Sequence, residues 1–525
     1  MATNTVNLDA LILRADFATD TDQTGGNPRG DISLTDLDRG FFSSDLRKPD
    51  FQRETTHWSP QKVLDLLRAF IDGDLIPAVI LWQRGREIFV IDGAHRLSAL
   101  IAWLRDDYGD RAASLQFFGS QIPPEQQAIA ERTRKLVNKN IGPYSRFKGL
   151  ADVQDVGDED RRIMSALGRN SLVVQWVPAK DAQSAEASFF KINQAAQPID
   201  PTERRILQSR HAANAIAARC IVRGGKGHKY WSKFSSDAQA EIQTLGEELY
   251  DALFKPPLTD PVSTLDMPVA GRGYNQLPFA FDLTNLCNNV PLPERSDTIR
   301  VEGPLHSDMD GAQTIEFLKA VRRRVQLITT KESKSLGLHP AVYFYAMSGT
   351  FMPNAFLATA EFAKRLGESK RFDEFTRVRG IFEDYLFENK IFISLTVTKL
   401  GSGARSLGRL SELFWRVFEG FSVGHSCADV SETLYNDPDF NYLVQAKQPP
   451  PRTDRGKTGR MSGSTKSAVM MREGYAKAMR CGICGAAVHF RSQTVDHIQR
   501  RSEGGAADMK NGQIVHPYCN SGFKA

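Results

Sequence analysis

The 525-residue chain predicts three architectures in series: a mixed α/β N-terminal region, an all-α middle and a small cysteine-stapled C-terminal domain. Three observations carry this reading. Between residues 59 and 104, helix-period and strand-period apolar runs alternate. From 200 to about 442 the apolar spacing is helical. The last 45 residues hold two ligand pairs, Cys481-Gly-Ile-Cys484 and His516-Pro-Tyr-Cys519, each with two residues between its members.

Ser59-Pro60 precedes Val63, Leu64, Leu67, Phe70 and Ile71, which predicts a helix N-capped by Ser59 and ended by Gly73-Asp74. The apolar runs 78–82 and 88–91 flank Arg84-Gly85-Arg86 and predict a hairpin. Asp92-Gly93-Ala94-His95-Arg96 then opens a second helix, with Leu97, Leu100, Ile101 and Leu104 on one face. Asp200-Pro201-Thr202-Glu203 has an acid at the N-cap, Pro at the first helical position and an acid two residues on. Helical spacing continues through 237–253, 312–328, 356–366, 371–389 and 407–420. The longest uncharged stretch, 338–360, is interrupted by Pro340, Ser348-Gly349 and Pro353. It reads as two buried helical segments joined by a turn, not as a membrane span. The Gly-rich segment 223–231 lacks Gly-Lys-Ser/Thr and is no P-loop; an interhelix loop with an aromatic anchor suits it better than the alternative, a flexible DNA contact.

Charged residues make up 25% of the chain, as in a soluble globular protein, and the N-terminus shows no basic stretch before an apolar run. Three of the six cysteines fall in the C-terminal pairs and the rest are scattered, which fits a reducing cytoplasm. From 446 onward there are 14 Lys+Arg against 5 Asp+Glu, leaving 53 against 57 in the other 445 residues. That cationic tail would attract a phosphate backbone, although a solvated linker has the same composition. Residues 447–467 are rich in Pro, Gly and Ser. The expected division is therefore 1–199, a helical 200–445, a basic flexible linker 446–475 and a C-terminal domain 476–525.

Cys481, Cys484, His516 and Cys519 read as a tetrahedral structural zinc site. Between and beside them stand Asp496, His497, Asn511 and Asn520. These are the residue types that cutting a phosphodiester with one hard cation, Mg²⁺ or Mn²⁺, requires: oxygen ligands and a base for water. A regular strand would send Asp496 and His497 to opposite faces, so both serve only if the strand ends there. His489 reads as a surface strand residue. The ordered set CxxC, Asp496-His497, Gly504-Gly505, Asn511 and the pair ending Cys519-Asn520 resembles an HNH endonuclease of the zinc-stapled ββα-metal type. His516 stands where that family usually has Cys, and imidazole ligates zinc equally well. The resemblance implies that Asp496 and Asn520 hold the divalent cation and His497 is the general base. It makes Asn511 the residue that fixes the loop orienting His497. The final helix is expected to be short, which leaves open whether the site supports itself.

A second likeness lies in roughly residues 30–210. Pro49-Asp-Phe51-Gln52-Arg53, Trp58, Asp92-Gly93-Ala94-His95-Arg96 and Phe189 to Asn193 together resemble a ParB-like DGQQR domain of prokaryotic restriction and defence proteins. The resemblance implies a nucleotide triphosphate pocket, for ATP or GTP, lined by Arg53, Asp92, Gly93, His95, Arg96 and Asn193. Ala94-His95 replaces the family's Gln-Gln. An anion at the Gly93 helix start has a physical basis, since free N–H groups gather there. The pairing of domains implies NTPase-regulated DNA cleavage in modification-dependent, for example phosphorothioate-sensing, anti-phage restriction. The expected partners are modified or phage DNA and nucleotide, without a membrane, and homo-oligomerisation stays open. The alternative is a non-enzymatic, nucleotide-switched DNA-binding regulator with a zinc tail.

Overall fold

The strand-period runs at 78–82 and 88–91 pair as a hairpin inside a six-stranded sheet. A computed structural model describes residues 5–15, 17, 29–38, 41–50, 52, 58–118, 122, 124–150, 153, 155–178, 181–196, 201–271, 276–294, 305–401, 403–447 and 459–523. They fall into two units, one of 2–207 with 226–230 and one of 208–225 with 231–525.

In the N-terminal unit the strands are β1 (Leu13–Ala15), β2 (Asp31–Ser33), β3 (Leu46–Pro49), β4 (Val79–Arg84), β5 (Glu87–Asp92) and β6 (Ser171–Trp176), in the order β1-β3-β5-β4-β6-β2. Strands β1, β3 and β5 are parallel, so their carboxyl ends share one edge, where open α/β sheets bind ligands. The β4–β5 turn places Arg84 opposite Glu87. Helix α1 (Pro60–Asp72) begins where Ser59 Oγ accepts the Lys62 N–H at 3.3 Å and ends at Gly73, whose φ of 76° suits a residue without Cβ. The other long helices of this unit are α2 (Ala94–Arg105), α3 (Pro124–Asn140), α4 (Asp158–Arg169) and α5 (Ala182–Ala196), with shorter ones between them. Val63, Leu67, Leu81, Val90, Leu97, Leu100 and Trp103 form its core. Beneath β1 and β3, Lys48 Nζ donates to Asp9 Oδ1 at 2.6 Å and Arg14 Nη2 donates to the same carboxylate oxygen at 2.9 Å, all three side chains being buried. Breaking such a group leaves an unpaired buried charge, costing about 3–5 kcal/mol.

Helix α6 (Pro201–Gln208) starts at the expected proline, while its expected cap Asp200 lies outside the described residues. The C-terminal unit then adds α7 (Ala213–Arg223), α8 (Ser236–Phe254), α9 (Leu277–Cys287), α10 (Ala312–Ile328), α11 (Pro353–Glu368), α12 (Phe372–Glu388), α13 (Ile391–Leu400), α14 (Ala404–Ser422) and α15 (Cys427–Asn436). The uncharged stretch makes one helical turn at Pro340–Tyr343, then a bend, then α11, with Tyr343, Phe344 and Tyr345 fully buried. Trp231 is fully buried between α7 and α8 in sequence, the aromatic anchor of its loop. No described helix is long and apolar enough to cross a membrane.

The second half of the segment read as a flexible linker is helix α16 (Gly463–Ala476). Ser462 Oγ caps it by accepting the Thr465 N–H at 3.1 Å. Only Ser467, Met471 and Tyr475, four residues apart, are buried, and so narrow a stripe escapes a search for apolar periodicity. Tyr475 stacks on Phe387 of α12 at 3.9 Å and donates to Asp384 Oδ1 at 2.8 Å. Residues 448–458 lie outside the described residues. The chain closes with the antiparallel pair β7 (Thr494–His497) and β8 (Gly512–Val515) and the irregular helical segment Cys519–Phe523.

Candidate metal centre and nuclease site

The two ligand pairs meet. The donor atoms of Cys481, Cys484, His516 and Cys519 all lie within 4.8 Å of one another. A tight turn positions the first pair: the Gly485 N–H donates to the Cys481 carbonyl at 2.9 Å, and Gly485 takes φ 73°. Hairpin and turn are tied where the Gly482 N–H donates to the Ile514 carbonyl at 3.0 Å. His516 Nδ1 sits 3.4 Å from Cys484 Sγ and 3.9 Å from Cys519 Sγ. Zinc bond lengths and tetrahedral angles require about 3.5 Å between such donors. His516 Nε2 donates to the Ala487 carbonyl at 3.1 Å, which keeps the Nδ1 lone pair directed at the thiols. Burial lowers the His516 pKa, favouring the neutral ring a metal needs. The thiols compete for protons. Hydrogen bonds from Cys484 and Cys519 hold Cys481 far below the usual thiol range, while the same contact pushes Cys484 up to about 12. A cation of zinc type would end that competition by ionising all three. Donor set and spacing therefore fit zinc.

Strand β7 delivers Asp496 and His497. Asp496 is 9% exposed and its Oδ2 accepts from Gln513 Nε2, its cross-strand partner, at 3.1 Å. Thr494 shares the Asp496 face by strand alternation, and Asn520 Nδ2 donates to Thr494 Oγ1 at 3.5 Å. Asn520 thus lies over the face that carries Asp496. His497 falls on the other face, with exposed Val495 and Ile514, and is the last residue of its strand. The strand does end at the dipeptide, as dual use requires. Asn511 closes the following loop: its Oδ1 accepts the Gln499 N–H at 2.8 Å, and its Nδ2 donates to the Gln499 and Ala506 carbonyls at 3.1 and 2.8 Å. Gly505 admits no side chain, since a Cβ would stand 2.0 Å from the Gln499 carbonyl oxygen. Arg500, Arg501 and Lys510 are exposed around that loop, a cationic rim beside His497.

The C-terminal domain rests on the helices. A Cβ on Gly380 of α12 would stand 2.8 Å from the Cys484 carbonyl, and one on Gly337 would stand 3.0 Å from the His516 ring. Arg379, fully buried, donates to the Leu336 carbonyl and, at 3.0 Å, to that of Gly337, with Glu383 accepting from Nε at 2.6 Å. His489 is a correction: it is 1% exposed, 5.3 Å from the His339 ring and 3.8 Å from Asp266 Oδ1. Burial pushes its pKa down to about 4. Sequence reasoning also missed Gln513 and the α12 residues. Hairpin register could have found Gln513, whereas the approach of Gly380 to Cys484 is long-range and leaves no local pattern.

In the N-terminal unit, Asp92 ends β5 and Gly93, at φ 101°, caps α2, with no side-chain cap among the described residues. A Cβ there would meet Val79 Cγ2 at 3.1 Å. Gln52 lies on the same sheet edge, its Oε1 buried and without a hydrogen-bond partner among the described residues. His95 stacks on Trp58 at 5.7 Å. Arg96 Nη2 donates to Asp92 Oδ2 at 2.5 Å and Nη1 to the Pro77 and Ala78 carbonyls. A phosphate would have to displace Asp92 to reach that guanidinium, and the helix start at Gly93 and Ala94 is itself buried. Arg53 lies outside the described residues, and so does the side chain of Asn193, which is carried on α5.

Comparison with known proteins gives two matches. Residues 34–211 match the GmrSD restriction endonuclease N-terminal domain, and residues 481–522 match the HNH endonuclease family. No curated protein and no solved structure matches the chain. The chain thus joins a segment similar to a restriction endonuclease's N-terminal domain to a helical middle and an HNH region with a Cys/His cluster, a combination that supports a nuclease acting in restriction.

Proposed function

We propose that the protein is a metal-dependent DNA endonuclease whose N-terminal unit licenses cutting. The observation that carries this is the placing of Asp496 and Asn520 over one hairpin face, with His497 at the strand end and Asn511 fixing the loop beside it. Asp496 and Asn520 are assigned as oxygen ligands for one Mg²⁺ or Mn²⁺, His497 as the base that takes a proton from water, and Asn511 as the residue that orients His497. An imidazole ring nitrogen can accept a proton from water, which suits that role. When bound, the hard cation supplies charge stabilisation at the phosphate. The zinc centre is structural.

For the N-terminal unit the proposal is a ParB-like nucleotide site at the Gly93 helix start. Asp92, His95, Arg96, Arg53 and Asn193 are assigned to its surroundings, and ATP or GTP is the ligand. A parallel-strand edge with a helix N-terminus that no described side chain caps supports it. The setting proposed is anti-phage restriction in the cytoplasm, dependent on a DNA modification such as phosphorothioate. The test is incubation of the full-length protein and Mg²⁺ with matched phosphorothioated, methylated, glucosylated and plain plasmids, with and without ATP or GTP. Preferential cutting of one modified plasmid, altered by nucleotide, is expected. Equal cutting of all four, indifferent to nucleotide, would remove the licensing role.

A further inference from the structure

Asn520 lies in the short helical segment Cys519–Phe523, where the Asn520 N–H donates to the His516 carbonyl at 3.1 Å and Ser521 Oγ donates to the Pro517 carbonyl at 2.8 Å. Further restraints come from the helical layer. The Tyr518 N–H donates to the Ser335 carbonyl at 2.9 Å, and Ser521 Oγ reaches the Ser333 carbonyl at 2.5 Å. The Tyr518 hydroxyl donates to Asp373 Oδ1, in the first turn of α12, at 2.8 Å. Its ring sits 5.4 Å from Phe372 and so close over Gly522 that a Cβ there would lie 2.5 Å from the ring. Arg377 stands 5.7 Å from the Phe523 ring. The residues flanking Asn520 on both sides are therefore held by α12 and the 333–335 turn.

We infer that Tyr518 and Asp373 are positioning residues for the cutting reaction: they hold Asn520 over the Asp496 face so that both can ligate one divalent cation. The inference rests on the nuclease reading above, and it extends that site into the helical layer. Asn520 Nδ2 engages Thr494 Oγ1 on the hairpin, which turns the amide toward β7. Losing the Tyr518–Asp373 bond would leave the ring packed but free to slide, and Asn520 would move with it. One such bond is worth about 0.5–1.5 kcal/mol net, which corresponds to a roughly two- to tenfold change in cation affinity.

The test uses full-length, zinc-loaded protein and Mn²⁺ as the probe, titrated by the electron-paramagnetic-resonance signal of the free ion. Tyr518→Phe keeps the ring and its packing; Asp373→Ala removes the acceptor. Each is expected to weaken Mn²⁺ binding roughly two- to tenfold. Each should also raise by the same factor the Mg²⁺ concentration giving half-maximal cleavage, with saturated kcat and zinc content unchanged. The double variant should bind no more weakly than either single variant, because both remove one bond. Wild-type Mn²⁺ affinity in both variants, with Asn520→Ala weakened, would overturn the positioning role. Unweakened binding in Asn520→Ala would instead sink the ligand assignment on which it rests.

Discussion

Asn511 holds both backbone polar groups of Gln499: the Gln499 N–H donates to Asn511 Oδ1 at 2.8 Å, and Asn511 Nδ2 returns a bond to the Gln499 carbonyl at 3.1 Å. An aspartate at 511 would keep the acceptor and lose both donations, and alanine would lose all three contacts. Asn511→Ala is expected to lower kcat by about 10²-fold, the low end of what a correctly placed base contributes, with zinc content intact. Single-turnover plasmid cleavage with zinc quantification checks this. Loss of zinc alongside activity would make Asn511 a fold residue.

Removal of zinc should disorganise the C-terminal domain, because its donors otherwise form a buried knot of competing thiols. Cys484→Ser is expected to hold less than one zinc per chain and to melt earlier, and added Mg²⁺ should not restore cutting. Differential scanning fluorimetry with metal analysis reads both. A variant that melts and cuts as the wild type does would show that the cluster is dispensable.

The buried His489 predicts acid sensitivity. Its folded pKa, about 4, lies below the ordinary value of 6.5, so between those pH values the unfolded chain binds a proton that the folded chain refuses. Its contribution is fully present above pH 6.5 and declines as the pH falls to 4, by about 3 kcal/mol at most. His339, also depressed by burial and by His489, works in the same direction. Melting temperature should fall on going from pH 7 to 5, and less steeply in His489→Gln. Equal slopes would remove His489 as the cause.

At the N-terminal edge, Gly93→Ala should be harmful on two counts, a φ of 101° and a Cβ 3.1 Å from Val79. A loss of about 1 kcal/mol or more in the stability of that unit is expected, together with loss of nucleotide binding. Arg96→Ala should reduce nucleotide binding less, since its guanidinium is already engaged by Asp92 and two carbonyls. Isothermal titration with a non-hydrolysable nucleotide distinguishes the two. Unchanged binding in both variants would remove the pocket.

What the sequence disclosed follows the range of the interactions. Caps and turns are local, so α1 and the β4–β5 hairpin were legible from Ser59, Gly73 and Arg84-Gly85-Arg86. Ligand spacing is local too, and Cys481, Cys484, His516 and Cys519 do converge. Helix α16 was hidden because its core contact is three side chains on an otherwise polar helix. His489 was misread because it precedes a helical turn instead of lying in a strand, and its burial depends on His339 and Asp266, which no local period reveals. The docking of the C-terminal domain on Gly337 and Gly380 is tertiary, and a single glycine in a loop or a helix carries no such message by itself.

The most direct test of the central claim compares wild type with His497→Ala in Mg²⁺ on the most readily cut plasmid. His497 is partly exposed at the end of β7, so its loss should spare the fold and the zinc. The account predicts Mg²⁺-dependent conversion of supercoiled DNA by the wild type and a loss of about 10²- to 10⁴-fold in the variant. Cleavage by His497→Ala at the wild-type rate, or no cleavage by either protein on any of the four plasmids, would contradict it.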